Sequence, residues 1–160
     1  MKAVMYGAGN IGRGFIGQLL YQSGYETSFV DVVPAVIEQL NTQHCYPVRI
    51  LYKDTYEEQM VENVSCVDGN DIEAVANAIA EADVMATAVG VNVLKFIIGP
   101  VSEGLKKRFA DPSKKPLNII ICENLIGADA YLKNAIAEKL NDEEKKLLDE
   151  KVGFVEASIG

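Results

Sequence analysis

Short apolar runs alternate along this chain with longer segments whose apolar residues recur at every third or fourth position. Short apolar runs are typical of buried strands, and the longer periodic segments are typical of helices that cover a sheet. We predict strands at residues 2–6, 27–30, 83–89, 117–122 and 152–158. We predict helices at residues 11–23, 33–41, 70–81, 92–109, 129–140 and 142–151.

The ends of two helices carry recognisable signals. Gly24 is expected to end the first helix, because glycine readily adopts the left-handed conformation found after a helix C-terminus. Asn70, with Glu73 three residues later, resembles a capping box that begins the 70–81 helix. Gly99-Pro100 lies inside the 92–109 segment. A proline there removes a backbone donor, so a kink or two consecutive helices are expected.

Residues 47–67 break the alternation of strands and helices. Two strand-like stretches, PVRILY at 47–52 and EQMVENVSCV at 58–67, flank a polar turn. We predict an extra β-segment there, between the second helix and the rest of the sheet.

The overall pattern predicts an α/β fold with a doubly wound, mostly parallel sheet of the Rossmann type. A length of 160 residues fits a single domain. Ligands of such sheets bind beyond the carboxyl ends of the strands. Gly7, Asp31, Gly90 and Glu123 each directly follow a predicted strand, so we expect them along one edge of the sheet.

A glycine-rich loop separates the first strand from the first helix and matches G-x-G-x-x-G. The pattern is common by itself, but its place between a strand and a helix is that of a dinucleotide-binding loop. The first glycine would allow a tight turn, the second a close approach of the pyrophosphate, and the third close packing of helix on strand. We assign all six loop residues to a cofactor site: Gly7, Ala8, Gly9, Asn10, Ile11 and Gly12.

Asp31 closes the second strand about 20 residues after the loop, the spacing at which an acidic residue binds the adenosine ribose. Its carboxylate would accept hydrogen bonds from the ribose hydroxyls and would repel a 2′-phosphate. We therefore expect the cofactor to be NAD rather than NADP. Arg13, directly after the loop, either approaches a phosphate or forms a surface salt bridge.

Two further strand ends carry candidate site residues. The stretch TAVG at 87–90 ends the 83–89 strand with small residues, either to leave room for a dinucleotide or to ease packing. If these small residues leave room for a dinucleotide, Val89 and Gly90 belong to the cofactor site, and we place them there. Glu123 and Asn124 follow the 117–122 strand and suit contacts to nicotinamide or to a substrate carbonyl. Asn124 alternatively caps the next helix.

Charge and cysteine content narrow the partners and the compartment. A formal net charge of −8 argues against nucleic acid, because nucleic-acid binders display basic faces. No apolar run approaches the ~20 residues of a membrane span, so no membrane partner is expected. The three cysteines fit no zinc spacing and no disulfide framework. We therefore expect no metal and a cytoplasmic location. The oligomeric state stays open, with a monomer favoured.

The stretch GAGNIGRGFIG at residues 7–17 is similar to the opening of polyol dehydrogenases of the long-chain mannitol dehydrogenase family, in the branch that acts on mannitol 1-phosphate. TAVG at 87–90, PLNII at 116–120, CEN at 122–124 and VGFV at 152–155 follow in the order found in that family. The resemblance spans essentially the whole chain, and its first motif is far more specific than the glycine pattern alone.

The resemblance implies NAD-linked, zinc-independent and reversible oxidation of mannitol 1-phosphate, a small sugar phosphate, to fructose 6-phosphate. It also implies that residues 1–160 are the NAD-binding domain and that a helical catalytic domain is absent from this chain. In the family that domain carries a catalytic lysine in a K-x-x-x-x-N-x-x-H motif. No such motif occurs here: Asn41 and His44 have the spacing, but Val36 occupies the lysine position. The chain by itself is therefore expected to be inactive.

One catalytic residue carries over from the resemblance. Asn124 matches an asparagine that holds the substrate oxygen beside the nicotinamide. Some members of the family carry an aspartate where this chain has Gly160, which leaves the choice of substrate open.

Two other functions stay open at this point. A stand-alone NAD-sensing regulatory module, usually dimeric, would carry the same loop and acid in a similar length. The GRGFIG extension and the β-segment at 47–67 argue against such a module. A relative that acts on free polyols or uronates would share all the features above, because substrate choice resides mostly in the second domain.

Overall fold

The computed structural model describes residues 1–159. They form a six-stranded sheet covered by helices on both faces, and a separate two-stranded sheet. The strands are β1 (Lys2–Tyr6), β2 (Glu26–Asp31), β3 (Cys45–Leu51), β4 (Tyr56–Glu62), β5 (Val64–Asp68), β6 (Val84–Thr87), β7 (Leu117–Ile121) and β8 (Val152–Glu156). The helices are α1 (Gly17–Gln22), preceded by a π-helical stretch Gly12–Ile16, α2 (Pro34–Gln43), α3 (Ile72–Glu81), α4 (Val91–Phe109), α5 (Ala128–Ala137) and α6 (Asp142–Lys151). Gly160, the position at which some members of the similar family carry an aspartate, lies outside the described residues.

The sheet order is β5-β2-β1-β6-β7-β8, and every pair of neighbouring strands in it is parallel. The chain winds outward from β1 in one direction through β2 and β5, and in the other through β6, β7 and β8. The carboxyl end of β1 is therefore the switch point where the connections diverge, the place at which doubly wound sheets bind ligands. The predicted fold class is confirmed.

Two apolar layers hold the sheet between its helices. Helices α3 to α6 cover one face and bury Ile79, Leu94, Leu132 and Leu148 there. The first helix, α2 and the β3–β4 hairpin bury the other face around Phe29, which is fully enclosed. Strands buried on both faces explain why the sequence shows continuous apolar runs rather than alternation.

The extra β-segment exists, but its predicted extent at 47–67 was wrong at the far end. Strands β3 and β4 form a separate antiparallel hairpin, with Leu51 opposite Tyr56 near the turn. Residues Val64–Asp68 instead join the main sheet as β5, parallel to β2. The turn between β4 and β5 is made at Asn63, which takes a left-handed φ of 57°. Single-sequence periodicity does not show such a one-residue break inside a continuous β-like stretch.

The predicted start of the 70–81 helix was wrong, and of the two alternatives for the 92–109 segment the division into two helices is excluded, while a kink stays a prediction. Asp71, not Asn70, caps α3, and its carboxylate accepts a hydrogen bond from the Ala74 N–H at 3.1 Å. Helix α4 runs without interruption from Val91 to Phe109 with Pro100 inside it, rather than dividing into two helices. Apolar residues of α4 before and after Pro100 pack into the same buried layer, which offsets the cost of about 3 kcal/mol for an internal proline.

The end of the first helix forms as predicted, and two further helix starts carry clear signals. Gly24 has a φ of +87° and follows the first helix, where the Tyr25 N–H donates to the Leu20 carbonyl at 3.0 Å. Pro34 occupies the first turn of α2, and a capping box joins Asn141 and Glu144 at the start of α6. Among residues 1–159, no helix is long and apolar enough to cross a membrane.

Candidate cofactor-binding site

The glycine loop connects β1 to the first helix through a bend that only glycine tolerates. Gly7 has a φ of +105°, and a Cβ there would collide with the Ala88 carbonyl of the neighbouring β6 segment. A Cβ on Gly12 would collide with the Gly7 carbonyl across the turn. The Gly7 N–H donates to the Val30 carbonyl at 2.8 Å, which ties the bend to β2. Both glycines are therefore required by backbone packing.

Gly9 is different, because a Cβ at this position would have no atom within 4 Å. The protein itself gives no packing reason for glycine here, and the open space above the loop fits a ligand that approaches the backbone closely. Asn10 and Ile11 are exposed beside it, while Ala8 is buried. The backbone N–H of Arg13 donates to the Gly9 carbonyl at 2.9 Å, in the first turn of the helix. The first N–H groups of a helix lack intrahelical partners, so this end suits a diphosphate.

Asp31 links the end of β2 to the glycine loop. One carboxylate oxygen, Oδ2, accepts the Ala8 N–H at 2.8 Å. The other, Oδ1, accepts the N–H groups of Val32 at 2.7 Å and Val33 at 3.0 Å. A carboxylate offers about four acceptor positions, so one remains for a ribose hydroxyl. Ribose binding by Asp31 stays a prediction, and its bracing of the loop is a role that the spacing pattern does not reveal.

Glu123 holds the loop between β6 and α4. Its carboxylate is 7% exposed and accepts the Val89 N–H at 3.0 Å and the Gly90 N–H at 2.9 Å. Gly90 has a φ of +92° and lies on the surface. Sequence reasoning put Glu123 in contact with the cofactor. That contact stays a prediction, and the structure shows that the carboxylate shapes the loop formed by Val89 and Gly90.

Asn124 lies exposed directly beyond β7. Helix α5 is preceded by Gly127 with no side-chain cap, so Asn124 does not cap that helix as the alternative reading had it. Strand β7 is two strands from β1, so this position is roughly 10 Å along the edge from the glycine loop. The side chain is therefore free to meet a ligand at the far end of an extended dinucleotide.

The small residues at 87–90 serve packing at one position. The Ala88 carbonyl is the atom against which Gly7 lies, and Thr87 is fully buried. The packing interpretation is therefore supported at Ala88, and room for a dinucleotide at Val89 and Gly90 stays a prediction. In residues 1–159, no group of three or more His, Cys, Asp or Glu side chains is placed to hold a metal ion.

A glycine bend at the switch point, an acid at the end of the adjacent strand and a shaped loop opposite define a dinucleotide-binding Rossmann domain. The family model described as the mannitol dehydrogenase Rossmann domain matches residues 1–160. The chain belongs to this family. The predicted family, fold and NAD cofactor class are confirmed, and the match argues against the stand-alone sensing module.

Curated relatives and solved structures agree with this assignment. The chain is 43% identical to mannitol-1-phosphate 5-dehydrogenase of Brevibacillus brevis over 99% of its length and 41% of that protein. It is 44% identical to the enzyme of the same name from Thermoanaerobacter pseudethanolicus, over 99% of this chain and 40% of that protein. The chain thus spans about two fifths of the length of these relatives.

Octopine dehydrogenase, solved with NADH and agmatine, has the same fold with a TM-score of 0.64 at 17% identity, over 96% of this chain and 34% of that one. D-mandelate dehydrogenase, solved with NADH and anilino(oxo)acetate, has a TM-score of 0.56 at 18% identity, over 96% of this chain and 40% of that one.

Proposed function

We propose that this chain is the NAD-binding domain of a polyol-phosphate dehydrogenase that oxidises mannitol 1-phosphate to fructose 6-phosphate. The observation that carries the proposal is the open space over Gly9, flanked by a glycine bend on one side and the Asp31 carboxylate on the other. Sequence identities of 43% and 44% to two enzymes named mannitol-1-phosphate 5-dehydrogenase support the choice of substrate.

The residues of the loop edge would hold the dinucleotide in an extended form. Backbone N–H groups of Gly9, Asn10 and Ile11 would bind the diphosphate at the helix N-terminus. The remaining acceptor position of Asp31 would bind an adenosine ribose hydroxyl, and its charge would repel a 2′-phosphate.

At the other end, the residues after β6 and β7 would form the nicotinamide half of the site. Glu123 would keep Val89 and Gly90 in place as a wall against the ring. The Asn124 amide would donate to the substrate oxygen and orient the carbon from which hydride leaves. Bound NAD supplies the hydride acceptor in this reaction. A lysine of a second domain, as the family resemblance implies, would take the hydroxyl proton.

Calorimetric titration tests the cofactor half of this proposal. NADH is expected to bind the chain more tightly than NADPH, because the Asp31 carboxylate disfavours a second charge at the ribose. Equal affinities for the two would remove the role given to Asp31. Absence of binding by either would overturn the proposal.

Turnover measurements test the enzymatic half. The 160-residue chain is expected to form no NADH from NAD and mannitol 1-phosphate, and measurable turnover would contradict the assignment of the proton acceptor to a second domain. The chain joined to the residues that follow in its gene is expected to oxidise mannitol 1-phosphate in preference to free mannitol and mannonate. Preference for one of the latter two would assign it to a free-polyol or uronate branch. On this proposal the reaction is cytoplasmic, where Cys45, Cys66 and Cys122 stay reduced, as they are in this structure.

A further inference from the structure

A cleft of about 840 Å³ opens between the start of the first helix, α2 and β3. It lies on the face of the sheet that carries the hairpin and borders the glycine loop only at Asn10. Valine, leucine and proline side chains form part of its wall, including the buried Val48 and Leu40. Its volume is within the range of about 300–1,000 Å³ typical of small-molecule sites.

The polar lining of this cleft is rich in hydrogen-bond donors. Arg13 and Arg49 line it together with the side-chain amides of Asn10, Gln39 and Gln43. Among residues 1–159, no aspartate or glutamate lines it, although the chain as a whole has a formal net charge of −8. Arg49 has an ion-pair partner in Glu58, whereas Arg13 has none in the part of the chain that the structure describes, so the Arg13 guanidinium makes the cleft electropositive on an acidic protein.

Arg13 has an unsatisfied donor here. Its Nε is buried and has no hydrogen-bond partner among residues 1–159. The turn that carries it is fixed, since the Tyr46 hydroxyl donates to the Arg13 carbonyl at 2.7 Å and Tyr46 packs edge-on against Phe29. Buried donors in native proteins are normally paired, so the unpaired Nε carries a desolvation cost here, and a ligand in the cleft would meet the terminal N–H groups of this guanidinium.

Arg49 stands at the rim and is held from its outer side. Its guanidinium lies 4.9 Å from the centre of the Tyr56 ring, and its Nε is 3.4 Å from the Glu58 carboxylate. These contacts position the head group and leave its terminal N–H groups for a ligand. Guanidinium forks bind phosphate oxygens in pairs and with strong charge-assisted hydrogen bonds.

We propose that this cleft binds a small phosphate monoester, with Arg13 and Arg49 on the phosphate and the amides of Gln39 and Gln43 on hydroxyl groups of its body. The site is separate from the reacting end of the dinucleotide. Asn124 follows β7, which is three strands from β2 and roughly 14 Å along the sheet, whereas the cleft is lined by the start of the first helix, α2 and β3. We infer a second molecule rather than a part of the dinucleotide because the cleft borders the glycine loop at Asn10 alone and extends from there along α2 and β3. The inference does not depend on the proposed reaction.

The test is a calorimetric titration of the chain, free of dinucleotide, in phosphate-free buffer of low ionic strength. Glucose 6-phosphate serves as the probe and glucose as its uncharged counterpart. Glucose 6-phosphate is expected to bind and glucose is not. Arg13→Gln and Arg49→Gln are each expected to weaken binding about tenfold or more, because charge-assisted hydrogen bonds are the strongest class. Arg49 is a surface residue, so its variant keeps the test valid if Arg13→Gln fails to fold.

Lys53→Gln is the matched control, since it removes one positive charge from the same hairpin outside the cleft. Its affinity is expected to stay within about twofold of the parent, as for other distant surface charges. Equal binding of glucose, equal loss in Lys53→Gln, or no binding of glucose 6-phosphate would overturn the proposal.

The 2′-phosphate of NADPH is the other source of the same chemistry. NADPH and NADH are therefore titrated into the parent and both arginine variants. The proposal expects the NADPH-to-NADH affinity ratio to be unchanged by either substitution. If the arginine variants lost affinity for NADPH alone, and glucose 6-phosphate did not bind, the arginines would belong to the dinucleotide site. That result would overturn the proposal of a separate phosphate monoester site.

Discussion

The carboxylate of Asp31 accepts the Ala8 N–H at 2.8 Å, so the acid at the end of β2 directly fixes the glycine loop at the end of β1. The two residues are 23 positions apart in the chain. Asp31 thus has two tasks, of which bracing the loop is visible and binding the ribose is proposed. Substituting it is expected to affect both stability and cofactor affinity.

Asp31→Asn is expected to lower the free energy of unfolding by about 1–3 kcal/mol and to weaken NADH binding about tenfold or more. An amide keeps the shape, but its NH₂ group cannot accept the N–H groups that the carboxylate now binds. Calorimetry and chemical denaturation measure the two effects. Asp68→Asn is the control, because Asp68 lies opposite Asp31 in register on β5 and its side chain accepts only the Asn70 N–H. Comparable loss of NADH affinity in both variants would contradict a specific role for Asp31.

Gly9→Ala and Gly7→Ala are expected to fail in different ways. Gly9→Ala should fold with unchanged stability, because its Cβ meets nothing within 4 Å, yet lose NADH affinity at least about tenfold as the methyl enters the diphosphate space. Gly7→Ala should lose about 3 kcal/mol or more of stability, through its positive φ and the collision with Ala88. Gly99→Ala, another open position in mid-helix, should keep both properties. Retention of NADH binding by Gly9→Ala would show that the open space is not the diphosphate site.

Glu123→Gln is expected to destabilise the protein by about 1–3 kcal/mol, because the buried carboxylate now satisfies two N–H groups and the amide can satisfy one. Glu156→Gln is the matched control, since that carboxylate is exposed and accepts the Gly127 N–H at 3.2 Å. Thermal unfolding compares them. If the control lost as much stability, burial of Glu123 would not be the cause.

The stability of the chain is expected to fall in alkaline solution, in part through Tyr6. Burial raises the pKa of Tyr6 to about 12, against ~10 for an unfolded tyrosine. Above pH ~10 the unfolded state loses this proton and the folded state keeps it, so the contribution of Tyr6 is full below that pH and lost toward pH 12. Tyr6→Phe should show a shallower fall over this interval in denaturation curves measured at several pH values. Parallel curves for the two proteins would contradict this assignment.

The order of strands and helices follows from the sequence because parallel strands are continuous apolar runs and their covering helices have one apolar stripe. The glycine bend is equally local, since a positive φ at Gly7 and the close approach at Gly12 permit little else. These parts of the site are therefore predictable without tertiary information.

The direction of buried polar side chains depends on contacts between distant segments. From the sequence, Glu123 is predicted to face a ligand at the end of its strand. Its carboxylate instead accepts the N–H groups of Val89 and Gly90, more than 30 residues earlier in the chain. The division between β4 and β5 likewise depends on which strand pairs with β2, and the continuity of α4 through Pro100 depends on the layer beneath it. The sequence does not decide between a phosphate contact and a salt bridge for Arg13, because its structural neighbour Tyr46 belongs to the distant hairpin.

Titration of ¹⁵N-labelled protein with NADH, followed through backbone amide resonances, tests the central claim most directly. The largest changes are expected at Gly9, Asn10 and Ile11, with smaller ones at Ala8, Asp31, Val89 and Gly90. Such changes would place the dinucleotide across the switch point of the sheet. Saturable binding that leaves the amides of the glycine loop unmoved would contradict the account.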